Sequence, residues 1–379
     1  MKGSEGRDLP VRRYRFAFVL NTTIGNMTRY VNLRKFADRD VEVDAHWVPV
    51  SILPQATEVV LGMMPRIFAL RWRIMSQVLP TLLHLGRFDA VMLHLFEAEV
   101  ACVARRYLSR GPALISSTDE APVIDRETYP LYPQEQRKPL WRQDFRLKLD
   151  RWRAARIDGF IPFTAWGGRI LELGCGVPRE RIHSIHVGVD LERWSLAGGK
   201  VPHLGRPRIL FVGTDFERKG GPSLLALFAR RFAHCAELHI VSADAPEHLP
   251  PQTFAYRNFT PNDARLVELY GSCDFLVLPT KADLVPWSVL EAMSMRLPVI
   301  STNVGAIAEL VDDGVSGFLV RPTDTDALDQ AITRLLNDAD LCLRMGAAGR
   351  SRIERDFDAA VNVPRILSVM KAIVNSRER

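Results

Sequence analysis

Short apolar runs separated by mixed, helix-length stretches occur in two successive sets along this chain, and that rhythm predicts two open α/β units built on parallel sheets. In the first set the runs are 15–21 (RFAFVLN), Val41–Val50, Ala90–Leu95, Ala113–Ser117 and Gly159–Pro162. The segment TTIGNMT supplies a turn after the first run and leads to a helix-like stretch from Arg29 to Phe36. The second set runs through RILFVG (208–213), ELHIVS (237–242), CDFLVLPT (273–280), LPVISTN (297–303) and GFLV (317–320). Helices are predicted around Pro261–Tyr270 and over 286–296, where Pro286 suits the first turn. Another follows Thr323 or Asp324, either of which can cap it. The polar stretch SLAGGKVPHLGRPR between the sets reads as an interdomain linker, and 379 residues suffice for two domains with separate cores.

The chain is 47% hydrophobic and 25% charged, the composition of a folded protein and not of a disordered one. Residues 1–200 carry a net charge of +8 and residues 201–379 a net charge of −2. A basic first half attracts nucleic acid, an anionic membrane surface or an acidic substrate, and its sign does not choose among them. No zinc-finger spacing or aromatic RNA-binding motif is present, which ranks nucleic acid low. The cysteines, Cys102, Cys175, Cys235, Cys273 and Cys342, stand far apart, against a disulfide framework and in keeping with a reducing cytosol. The N-terminal apolar run is short and lacks a convincing cleavage site, so no signal peptide is expected.

Arg66, Arg71 and Arg73 interrupt the apolar stretch Val59–Leu85, which rules against a membrane span and leaves an amphipathic surface helix or a partly buried domain helix. The run from Arg137 to Arg156 interleaves basic residues with Trp141, Phe145 and Trp152. It fits a helix against an anionic membrane and a solvated domain face equally well.

Two segments concentrate polar chemistry. Gly213-Thr-Asp-Phe-Glu-Arg-Lys-Gly-Gly221 joins a strand to a helix, and Arg218 with Lys219 there fits either a solvated turn or a diphosphate site assisted by the helix N-terminus. It matches neither a Walker loop nor the dinucleotide fingerprint, which lowers nucleotide hydrolysis and hydride transfer. In 279–298, Asp283 and Glu291 stand eight positions apart across a strand-to-helix turn. Asp283 suits a surface or capping acid as well as a sugar contact, whereas Glu291 on an apolar helix is harder to explain structurally. Backbone amides around Leu284 and Val285 are further candidate sugar or phosphate contacts. The His183/His186 spacing suits alternation along a short strand or linker better than a metal pair, and no HExxH or acidic cluster suggests a metal.

The stretches FVGTDFERKGG, DFLVLPTKADLVPWSVLEAMSMRLPVISTNVGAIAELV, DDGVSGFLV and RIHSIHVGVDLERW resemble the nucleotide-sugar-dependent retaining glycosyltransferases of the group 1, family 4-like type. The resemblance covers most of residues 180–335. It implies the GT-B architecture, two Rossmann-like domains facing each other across a deep cleft. The expected parts are an acceptor domain (1–196), a nucleotide-sugar domain (197–355) and a C-terminal helix (356–379) crossing back to the first domain. It also implies that Arg218 and Lys219 bind the donor diphosphate, that Glu291 holds the ribose and that Asp283 lies against the transferred sugar. Asp283 departs from the family's usual glutamate, and Leu284, Val285 and Pro286 replace its glycine-aromatic-glycine. In the first domain the resemblance places Gly25, with Asn26 behind it, near phosphate and acceptor. Asp119, after Thr118 at the approximate place of a family histidine, is the leading contact to sugar or acceptor, and His94 the second. An ordinary turn accounts equally for Gly25 and Asn26, a turn cap for Asp119 and a strand-end polar residue for His94.

The function so implied is retaining transfer of a sugar, from a UDP- or GDP-sugar first of all, to a glycan or lipid-linked acceptor. It needs no metal and no cofactor beyond the nucleotide-diphosphate sugar as co-substrate, and it places the protein in the cytoplasm, at the inner membrane face for a lipid-linked acceptor. A catalytically inactive sugar-nucleotide-binding protein is the main alternative; a sugar-nucleotide epimerase and a nucleic-acid-binding protein rank below it.

Overall fold

A computed structural model describes residues 12–22, 25–51, 66–93, 98–105, 111–117, 140–196, 205–260 and 263–378. Two parallel sheets organise them. The first is ordered β2-β1-β3-β4-β5, from β1 (Tyr14–Asn21), β2 (Val43–Val50), β3 (Ala90–Leu93), β4 (Ala113–Ser116) and β5 (Gly159–Phe160). The second is ordered β11-β10-β9-β6-β7-β8, from β6 (Arg208–Val212), β7 (Glu237–Val241), β8 (Thr253–Tyr256), β9 (Phe275–Leu278), β10 (Val299–Thr302) and β11 (Gly317–Val320). The fold is α/β, as the alternating runs predict.

Burial explains which runs became which strands. In β1, Phe16, Ala17, Phe18, Val19 and Leu20 are all buried, the signature of a parallel strand covered on both faces. The edge strand β2 instead alternates in burial over most of its length and tolerates the exposed Pro49, whose missing N–H costs no ladder bond at an edge. The edge strand β8 was not legible in the sequence: its four residues, TFAY, are three half-covered and one exposed, too short a run to announce a strand.

The helices that follow are α1 (Gly25–Ala37), α2 (Arg66–Leu83), α3 (Ala98–Arg105), α4 (Leu140–Ala154), α5 (Ala165–Cys175), α6 (Gly221–Arg231), α7 (Ala264–Ser272), α8 (Trp287–Ser294), α9 (Thr325–Asn337), α10 (Ala339–Asp356) and α11 (Ala359–Glu378). Helix α1 starts at Gly25, earlier than its apolar pattern suggests, because first-turn residues need no intrahelical N–H acceptor and so admit Gly and Asn. Pro286 sits just before α8 with ψ 116°, not inside its first turn. Asp324, not Thr323, caps α9 by accepting from Ala327 N at 2.9 Å. None of the described helices is long and apolar enough to cross a membrane.

Helix α11 packs on the first sheet. Val363, Leu367, Met370 and Val374 join Phe16, Phe18 and Met92 in one core, and Lys371 Nζ bonds Asp40 and Glu42 at 2.8 Å each. The core around the second sheet is separate from this one and larger. Between the two units Glu309, on a 3-10 turn after β10, accepts from Ala165 N at 2.8 Å and Trp166 N at 2.7 Å. A carboxylate of one unit thus caps the N-terminus of α5 in the other.

Candidate active site

In each sheet the strand order reverses once, between β1 and β3 in the first and between β6 and β9 in the second. A ligand crevice forms at such a switch point, outside the carboxyl ends of the strands, where successive loops diverge to opposite faces. The loop after β6 carries Arg218 and Lys219, and the loop after β9 carries Asp283, so both open on one switch point.

The two loops are laced together. Lys281 N donates to Arg218 O at 2.8 Å, and Arg218 Nη1 donates to Ala282 O at 2.5 Å. Arg218 is held from behind by Asp215, whose carboxylate accepts from its backbone N and from Nε at 3.0 Å each. Lys219 Nζ forms an ion pair with Asp283 Oδ2, and both side chains are nearly buried, at 11% and 12% exposure. Asp283 Oδ1 also accepts from Leu284 N at 3.1 Å. Two glycines permit this closeness. Gly220 has φ +80°, and a Cβ there would lie 2.0 Å from Pro279 O; Gly305 has φ +55°, and its Cβ would lie 2.1 Å from Asp283 O.

Glu291 lies on α8, which follows the β9 loop, and is only 6% exposed. Tyr270 on α7 donates its hydroxyl proton to Glu291 Oε2 at 2.9 Å. Burial pushes the Glu291 carboxyl up to about 7, and the Tyr270 hydrogen bond works against that rise by favouring the charged form. Val285 turns its side chain into the core of the second unit, so a ligand contact there falls to its backbone. Leu284 is half-buried, and its N–H is engaged by Asp283.

The helix N-terminus contributes less to an anion site than the sequence suggests. At the start of α6, Pro222 has no N–H and Gly221 N donates to Phe216 O at 2.8 Å. The positive charge at this turn is carried by the side chains of Arg218 and Lys219.

In the first sheet Gly25 opens α1 just past β1, and Asn26 is half-buried behind it. His94, Thr118 and Asp119 lie outside the described residues. Arg29, which carried no sequence signal, is buried on α1 and donates to Ser117 Oγ at 2.6 Å, with its guanidinium 4.3 Å from the Phe163 ring centroid. It anchors the end of β4, the strand that leads toward Asp119. Only contacts between residues 88 apart reveal it.

Among the described residues no group of three or more His, Cys, Asp or Glu is arranged to hold a metal. His186 Nδ1 lies 2.8 Å from Phe163 O and its ring packs on Phe357, which gives it a packing role next to the linker. A cavity of about 450 Å³, lined by Arg15, His46, Thr81, His84 and Arg87, opens at the amino ends of β1 and β2. It lies at the opposite end of the first sheet from Gly25 and takes no part in the switch-point crevice.

Residues 206–338 match the family model described as glycosyl transferases group 1. Over 277 residues the chain is 28% identical to alpha-maltose-1-phosphate synthase of Mycolicibacterium smegmatis, covering 59% of this chain and 70% of that protein. An alpha-maltose-1-phosphate synthase and a glycogen synthase of Mycobacterium tuberculosis are matched over 57% and 53% of their own length, so the chain spans little more than half of them. Sucrose-phosphate synthase from Thermosynechococcus elongatus superposes with a TM-score of 0.76 at 18% identity, over 96% of this chain and all (100%) of that one. The Anabaena protein HepE, solved in complex with UDP-glucose, superposes with a TM-score of 0.72 at 14% identity, over 95% of this chain and 100% of that one. These neighbours share the two-sheet GT-B fold.

Proposed function

We propose, from the premise that the chain belongs to the group 1 glycosyltransferases, that it transfers a sugar with retention of configuration from a nucleoside diphosphate to a glycan or lipid-linked acceptor. The observation that carries this reading is the buried pairing of Lys219 with Asp283 where the loops after β6 and β9 meet. A cation and a sugar-facing acid stand side by side where the bond between phosphate and sugar would break.

In this mechanism the donor diphosphate takes Lys219 and Arg218 as its counter-charges, and Asp283, relieved of part of its hold on Lys219, accepts hydrogen bonds from sugar hydroxyls. Glu291 accepts from the ribose hydroxyls. As the bond from sugar C1 to the diphosphate oxygen breaks, the acceptor oxygen attacks the same face and its proton passes to the departing phosphate oxygen. Arg218 and Lys219 stabilise the negative charge that develops there, a stabilisation worth most in a site closed to water. Charge compensation by these two side chains makes a metal unnecessary. UDP- and GDP-sugars are the preferred donors; the UDP-glucose bound by the HepE fold relative favours testing UDP-sugars first. Exposed Trp141 and Phe145 on the basic helix α4, each 65% exposed, favour a lipid-linked acceptor reached from the cytoplasmic face of an anionic membrane.

The test is nucleoside diphosphate release with excess EDTA, across UDP-, GDP- and ADP-sugars with lipid-extract and soluble-glycan acceptors. Product mass and the anomeric configuration of the new linkage are read on the same samples. Release coupled to an acceptor of greater mass with the donor's anomeric configuration supports the reading, and an inverted product removes retention from it. A second reading, a sugar-nucleotide-binding protein without turnover, is favoured by one observation: Asp283 is already engaged by Lys219 and by Leu284 N. Donor binding without release across the whole panel would select it.

A further inference from the structure

The hydroxyl of Tyr270 lies between two acceptors, Glu291 Oε2 at 2.9 Å and the Ser288 carbonyl oxygen at 3.3 Å. Tyr270 is fully buried, and Trp194, also fully buried, packs edge-on against its ring with centroids 5.3 Å apart. The ring is therefore fixed in place while its single hydroxyl proton can serve only one acceptor at a time. We propose that Tyr270 is the positioning residue that keeps Glu291 an acceptor for the donor ribose, and that its hydroxyl changes partner when Glu291 gains a proton. The proposal rests on the assignment of Glu291 to the ribose made under Proposed function.

The geometry satisfies both protonation states. With Glu291 ionised, Tyr270 donates to Oε2, and the remaining lone pairs of the carboxylate are left for the diol of the donor ribose. With Glu291 neutral, the carboxylic O–H donates to the Tyr270 oxygen and Tyr270 donates to Ser288 O. No buried polar atom of the pair loses its partner in either state, which is the condition for placing a carboxyl in this interior. The phenol itself stays protonated throughout, since burial and the neighbouring Glu291 hold its titration well above the usual tyrosine range.

Burial places the Glu291 titration at about 7, and the Tyr270 hydrogen bond holds it lower than burial alone would. Besides the pair itself, the titratable group bearing on it is the buried thiol of Cys273, which follows α7. From α10, the Arg350 guanidinium reaches the end of α8 and donates to Ser294 O at 2.8 Å. From the linker side, Trp194 presents an uncharged ring. A ribose diol donates to the ionised carboxylate, so nucleotide affinity climbs as pH rises through the Glu291 titration. Loss of the Tyr270 donor raises that titration and moves the climb to higher pH.

The experiment titrates the full chain with UDP, GDP and ADP at pH values on both sides of the Glu291 midpoint, by calorimetry. It then repeats the series with the 2′,3′-dideoxy form of the tightest binder. Wild-type affinity for the ribonucleotide is expected to rise through about pH 7 more steeply than affinity for the dideoxy form, which keeps only the titration of its terminal phosphate. Tyr270→Phe is expected to shift the midpoint up by about one unit or more, while affinity well above it is largely kept. Replacement of Tyr270 by 3-fluorotyrosine, a stronger donor of nearly the same shape, is expected to shift the midpoint down and guards against a misfolded Tyr270→Phe. Equal weakening at all pH values, with the midpoint unmoved by either replacement, would overturn the role of Tyr270 and leave the ribose assignment standing. Equal pH dependence for the ribo and dideoxy nucleotides, or no nucleotide binding at all, would overturn the ribose assignment itself.

Discussion

At the scale of single residues the site is a pair of charges taken largely out of water. Lys219 and Asp283 are each close to nine-tenths covered, so deleting one partner strands the other, whereas deleting both removes the problem. In a double-mutant cycle Lys219→Ala and Asp283→Ala are therefore each expected to lower the melting temperature more than the double variant does, as read by thermal unfolding. On activity Lys219→Ala is expected to cost about 10²–10³-fold in kcat/KM, the usual loss when one charge-stabilising donor is removed. Glu291 makes a prediction of opposite kind. Its carboxyl titrates higher folded, at about 7, than its ordinary 4.5, so between those values the folded state holds more of its proton than the unfolded state. Stability from this group is thus full below pH 4.5 and falls as pH rises to about 7. Melting curves of wild type and Glu291→Gln across that window are expected to diverge, with wild type losing ground as pH rises. The sequence singles out Lys219, Asp283 and Glu291 because they stand in, or on the helix just after, short strand-to-helix turns. Tyr270 was not, since in a helix of apolar spacing its ring looks like core, and only the packing of α7 against α8 shows what its hydroxyl reaches.

At the scale of elements, the turns after β6 and β10 hold backbone conformations that a side chain would block. Gly305 combines a left-handed φ of +55° with a virtual Cβ 2.1 Å from Asp283 O. Gly305→Ala is expected to cost about 1 kcal/mol or more from backbone strain alone. It also displaces the Asp283 backbone, so donor KM is expected to rise together with the loss of stability, in steady-state kinetics and melts of the same preparation. A change in stability with an unaltered KM would mean that the Asp283 loop tolerates the shift. Element boundaries were less legible than element types. Strand β8 is four residues, three half-covered and Phe254 exposed, with no periodicity to read, and α10 begins at Ala339 because Asp338 caps it by accepting from Leu341 N at 2.7 Å, a bond to which hydrophobic spacing is blind.

At the scale of the whole molecule, two devices tie the sheets together: the Glu309 carboxylate on the N-terminus of α5, and the passage of the chain from α10 into α11 on the first sheet. Glu309→Ala leaves two helix amides without that carboxylate and is expected to loosen the two units, read as a larger radius of gyration in solution scattering with little change in secondary structure. Truncation before Ala359 removes Val363, Leu367, Met370 and Val374 from the core that they share with Phe16 and Phe18. The expected result is proteolytic sensitivity of the first unit while the second resists. What the sequence determined by itself is the α/β class, the two successive sets of strands and the placing of a basic pair and of two acids in or beside the turns of the second set. Each is written in local periodicity or in turn chemistry a few residues long. Only the tertiary structure decided that Lys219 faces Asp283 across the switch point, that Arg29 anchors the end of β4, that Tyr270 serves Glu291 and that Glu309 bridges the two units. Those contacts join residues 64, 88, 21 and 144 positions apart, and such pairings depend on strand order and helix packing, which no local pattern encodes.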